Sequence, residues 1–81
     1  MAGIMQKVRF IRDSVSNKKI DDETIALLYK LQKDDENLPI YKVPVSILAT
    51  AALSVLGISK YTGTNENVLL WEGNLKSFLQ K

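Results

Sequence analysis

The chain has no cysteine and no histidine among its 81 residues, only two prolines, and a single tryptophan. Without cysteine there are no disulfide staples and no thiol nucleophile. Without histidine there is no imidazole base, and the usual zinc and haem ligands disappear with both residue types. Most hydrolase mechanisms are removed in this way. Small secreted domains normally depend on cross-links, so a domain of this size without them is expected in a reducing cytoplasm. The first residues, MAGIMQKVRFIRDS, interleave apolar side chains with Lys7, Arg9 and Arg12, so they hold no continuous hydrophobic run of the signal-peptide kind. Phosphate-cradling glycine motifs are missing as well. The acidic run at 34–36, DDE, lacks the alternating oxygen ligands and the glycine of an EF-hand loop and reads as a solvated acidic loop. The serines have no basic partner motif nearby, and no residue pattern calls for a cofactor or a metal.

What is present describes a small globular domain. Hydrophobic residues make up 46% and charged residues 25% of the chain, which is the composition of a soluble fold and not of a disordered tail. At this length residues 1–81 form one domain with a modest core. Net charge is +2, unevenly spread: residues 1–20 carry +4, residues 21–40 carry −4 and residues 41–81 carry +2. A basic segment followed by an acidic one is expected to compensate within the fold, through local pairing on solvated faces.

Four stretches have helical periodicity. Ile4, Val8, Ile11 and Val15 recur every three or four residues, with the charges mostly on other sides, and SVSNKK ends the pattern. Asp21 is a capping residue for the second stretch, Asp22 and Glu23 suit the positive end of its dipole, and Ile20 with Ile25 fit a hydrophobic staple. Its stripe is Ile25, Leu28 and Leu31, widened by Leu27, and it stops near Lys33. Pro39 and the acidic cluster then make a loop whose Leu38, Ile40 and Tyr41 are expected to fold back onto the core. The fourth stretch follows KYTGT, with Thr62, Thr64 or Asn65 as cap and Val68, Trp71, Leu75, Phe78 and Leu79 as stripe. No strand alternation or hairpin signal competes.

The third stretch, VPVSILATAALSVLGIS, has no charge over residues 43–59. A membrane span needs about 20 apolar residues. Here Pro44 suits the first turn of a helix and Gly57 a left-handed cap, so about 13 helical residues remain, diluted by Ser46, Thr50 and Ser54. A helix this apolar and this short is expected inside the fold, with Ala49, Ala51 and Ala52 allowing close approach. The expected architecture is all-α, an antiparallel up-down four-helix bundle in which the third helix lies against the second and the fourth.

Such a bundle, without a catalytic constellation, is expected to work by binding. Lys7, Arg9 and Arg12 are candidate contacts to an anionic surface, whether nucleic acid or lipid. Trp71 is expected in the core, with an interface anchor as the other reading. With the helices in place, the chain resembles the bacteriocin immunity proteins of lactic acid bacteria and streptococci, in particular the enterocin A immunity (pediocin-like) family. LLYKLQKDDENLPIYKVPVSILATAALSVLGI is similar to that family's second helix, polar loop and apolar third helix, and ENVLLWEGNLKSFLQ to its last amphipathic helix. The resemblance implies a cytoplasmic, non-enzymatic bundle with a minor membrane-associated fraction and no cofactor. It would protect the producer cell from its own antimicrobial peptide by binding a bacteriocin–receptor complex at the cytosolic side of the membrane. For the pediocin-like group that receptor is the mannose phosphotransferase permease. Specificity is attributed to the C-terminal half, which makes Tyr61, Trp71, Lys76, Phe78 and Lys81 candidate partner contacts. The alternative expectation is a small helical nucleic-acid-binding or regulatory protein of phage or plasmid origin, using the basic N-terminal segment.

Overall fold

The computed structural model describes residues 3–79. Four α-helices follow one another, α1 (Ile4–Ser16), α2 (Asp22–Leu31), α3 (Val45–Val55) and α4 (Glu66–Leu79), and the described residues include no strand. The all-α four-helix bundle expected from periodicity is present.

In α1 the predicted stripe points inward, Ile11 and Val15 completely and Ile4 and Val8 in part. Ser14 is buried beside them and satisfies its hydroxyl by donating to the Phe10 carbonyl at 2.7 Å, as a buried polar group must. The helix ends with Lys19 N donating to Ser14 O and Lys18 N to Val15 O. This is the paired-carbonyl stop that usually employs glycine at the left-handed position. Here that position is Lys18, at φ 49°.

The start of α2 follows the sequence reading. The Asp21 carboxylate accepts from Thr24 N at 2.8 Å, and that hydrogen bond holds its pKa below the ordinary aspartate value. Leu28 is buried, and Thr24 takes an inward position that the hydrophobic pattern did not assign. Leu27 lies outside the stripe it was expected to widen, and Ile20 stays 55% exposed, so an Ile20–Ile25 staple covers little of it.

Helix α3 is the hub. Val45, Leu48, Ala49, Ala51, Ala52 and Leu53 are all buried, and the helix packs against α4, α2 and also α1. Helices α1 and α4 meet as well, α1 and α2 make the sparsest contact, and α2 and α4 do not touch. Three buried alanines let the neighbours approach this closely, since a small side chain holds the backbones apart least. No described helix is long and apolar enough to cross a membrane, and most apolar residues of the uncharged stretch belong to the core cluster or pack against it.

The two ends of α3 show how a helix with so few polar side chains satisfies its backbone. Pro44 occupies the N-cap, one residue before the first-turn place expected for it, and offers no side-chain oxygen. The acidic loop supplies the acceptors: Val45 N donates to Glu36 O at 2.9 Å and Ser46 N to Asp34 O at 2.8 Å. At the other end Gly57 adopts φ 76°, Gly57 N donates to Ser54 O and Ile58 N to Leu53 O, closing a Schellman stop.

The loop itself is pinned by Leu38 N donating to Val43 O at 2.8 Å and by a single antiparallel bridge between Asn37 and Pro44. Leu38 folds back onto the core as expected. Ile40 and Tyr41 do not: they are 82% and 63% exposed. With Leu38 and Val43 turned inward at the neck, the residues between them form a tip with no interior left to enter.

Candidate functional site

Two concave features stand out among the described residues. The larger, about 460 Å³, follows the seam where α1 and α2 pack sparsely and is lined by Gln6, Lys7, Phe10, Leu27, Lys30, Leu31 and Asp34. The smaller, about 280 Å³, is an apolar groove bounded by Met5 and Val8 of α1, Leu38 to Tyr41 of the loop, Leu48 of α3 and Trp71 of α4. Volume favours the seam and chemistry favours the groove. Loose packing of two short helices accounts for the first, whereas the second brings exposed apolar side chains of α1 and the loop, Met5, Ile40 and Tyr41, together with Trp71 of α4.

The groove is built by the connections already described. The pinned loop delivers Tyr41 to α4, where its ring meets Trp71 edge to face, centroids 5.2 Å apart and planes at 86°. That geometry places the positive edge of one ring on the negative face of the other. Met5, the first outward residue of the α1 stripe region, closes the groove and is itself exposed.

An electrostatic clamp belongs to the seam, where Lys7 and Asp34 both line the cavity. Lys7 Nζ donates to Asp34 Oδ2 at 2.6 Å and to Glu36 Oε1 at 3.0 Å. The Lys7 hydrogen bond, and then that from Glu36 N, hold the Asp34 carboxyl below the ordinary aspartate range, and the Asp34 and Glu36 carboxylates, as acceptors, raise the Lys7 ammonium above its ordinary value. This is the compensation of basic first segment by acidic second segment that the charge distribution led us to expect. Among the described residues no group of three acidic side chains is arranged to hold a metal ion.

The residues singled out in the sequence are distributed around the bundle. Trp71 and Phe78 share the inward stripe of α4 and are half-buried against the core, Trp71 forming a wall of the groove. Lys76 is exposed on another side of the same helix, and Lys81 lies outside the described residues. Tyr61 serves the α3–α4 connection: its N–H donates to Ser54 Oγ at 3.0 Å and its hydroxyl accepts from Asn65 N at 2.9 Å. Asn65 proves to be the α4 cap, accepting from Asn67 N at 2.9 Å. Of the three N-terminal cations, Lys7 is held by its two carboxylates and Arg12 lies 3.5 Å from Asp13, while Arg9 is exposed with no ion pair among the described residues.

Sequence reasoning missed Met5, Ile40 and Tyr41 as a surface. The available signal was NLPIYKV, in which three large apolar residues flank one proline in a loop too short to turn all of them inward. No protein-family model, curated protein or solved structure matches this chain.

Proposed function

We propose that this protein is a bacteriocin immunity protein, acting without catalysis by binding a bacteriocin–receptor complex at the cytosolic side of the membrane. The observation that carries the reading is the aromatic groove, where exposed Met5, Ile40 and Tyr41 and half-buried Trp71 line one apolar surface, while the other exposed apolar residues, such as Ile20, Leu69 and Leu70, take no part in it. Exposed apolar surface of this kind, fixed by a pinned loop and by ring packing, is suited to a partner and costs the free protein solvation without return. In this reading the partner-facing set is Trp71 together with Met5, Ile40 and Tyr41, while Tyr61 acts as a brace within the fold. The nucleic-acid reading has less support, because Lys7 is already neutralised by Asp34 and Glu36 and a phosphate contact through it would have to displace them.

Expression in a bacteriocin-sensitive strain tests the proposal. The expected result is a raised inhibitory concentration for one cognate peptide, reduced by Tyr41→Ala in protein that accumulates normally. Unchanged sensitivity to a panel of such peptides would overturn it.

A further inference from the structure

We infer that the loop tip Pro39 to Lys42 is a docking point for an anionic lipid bilayer, with Ile40 entering the interface and Tyr41 and Trp71 lying at headgroup level. The inference deepens the functional reading by naming what this face touches first. It stands on the following features of the molecule.

Ile40 projects from the fold with 82% of its surface exposed, next to Tyr41 and the groove that Met5 and Trp71 complete. The tip is held in that attitude by Leu38 N to Val43 O at its neck and Lys42 N to Leu38 O within the turn. A protruding aliphatic residue backed by two amphipathic aromatic rings has the order of polarity found across the membrane interface: hydrocarbon outermost, then Tyr and Trp, then the polar body of the protein.

Charge is sorted along the loop in the same sense. Its carboxylates, Asp34, Asp35 and Glu36, are at the base, where two of them are drawn back onto Lys7, while the tip carries a single ionic group, the exposed ammonium of Lys42. Arg9 and Arg12 follow Met5 at intervals of four and seven residues, on the flank of α1 that Met5 opens toward the groove. Cations beside an apolar projection complement the negative surface of anionic lipid, each near the surface adding about fivefold to partitioning.

The sole tryptophan lies in the groove and reports on the event. Purified protein is mixed with vesicles of phosphatidylcholine alone or with added phosphatidylglycerol, and binding is read by sedimentation, by the blue shift of Trp71 emission and by its quenching with brominated lipid. Preferential, salt-sensitive binding to the anionic vesicles with quenching is expected. Ile40→Asp should lower partitioning about tenfold or more, and Lys42→Glu should lower it by more than the about fivefold of one lost cation. Ile20→Asp, at the other end of α1, should leave it unchanged. All three positions are exposed, so each variant should retain the parent melting curve. Absence of vesicle binding, equal binding to both lipids, or binding that survives Ile40→Asp and Lys42→Glu would overturn the inference. Immunity is read in cells and lipid binding on purified protein, so either can fail while the other holds.

Discussion

Two backbone positions with opposite chemistry make a paired test at the level of single residues. Lys18 and Gly57 occupy equivalent left-handed positions after α1 and α3, at φ 49° and 76°. A side chain in that conformation costs about 1 kcal/mol relative to glycine. Lys18→Gly is therefore expected to stabilise the fold by about 1 kcal/mol and Gly57→Ala to destabilise it by a similar amount, as urea unfolding would measure. The Lys7–Asp34 contact makes the second prediction. Asp34 and Asp21 have lowered pKa values, so the folded state binds fewer protons than the unfolded state through the acid range. Their contribution is complete above the ordinary carboxyl values and is lost as pH falls through the depressed ones. Lys7 is raised, so its share is lost only as pH climbs through the elevated ammonium value. Asp34→Asn should lower the melting temperature at pH 7 and flatten its decline between pH 5 and pH 2, the range where carboxylates of lowered pKa take up protons. An unchanged acid slope would place the stabilising charge elsewhere.

Among the elements, the helices were legible in the sequence because each had both a period and a punctuation mark. Asp21, Gly57 and the Asn65 site all stop or start helices where side-chain chemistry said they should. Stripe membership was read well for α1 and α4 and less well for α2, where Thr24 went in and Leu27 stayed out. A ten-residue helix that contacts only α3 closely needs a narrower stripe than its hydrophobicity supplies. The loop was legible as a loop, but its tip was not. Which of Leu38, Ile40 and Tyr41 turns inward depends on the Leu38–Val43 closure, a pairing set by tertiary geometry and not by periodicity. The α3–α4 connection was also opaque, since nothing in KYTGTN reveals that Tyr61 reaches forward to Asn65. At Gly63 an added Cβ would overlap the Tyr61 hydroxyl and lie 2.5 Å from ring carbon Cζ. Gly63→Ala is therefore expected to expel the Tyr61 ring, cost about 1 kcal/mol, and speed amide exchange at Asn65 while leaving α1 unaffected.

For the molecule as a whole, stability is concentrated in α3. Ala49, Ala51 and Ala52 are fully buried on the helix that all three others pack against, so Ala52→Leu should cost about 1–3 kcal/mol by overpacking. Calorimetry would register this as a lower melting temperature with the transition still cooperative, because α1, α2 and α4 all lean on the same helix. The acidic loop turns this concentration into a dependence. Its Asp34 and Glu36 carbonyls begin the hydrogen-bond ladder of the hub, and the Asp34 carboxylate reaches across to α1. Lengthening the chain between Asp34 and Glu36 would put those acceptors out of step with Ser46 and Val45, whereas lengthening it at Tyr41 would leave them in place. The ribbon that presents Ile40, the most water-exposed large aliphatic residue among those described, is thus also the keystone of the interior, free to diversify at the crown and constrained at the feet.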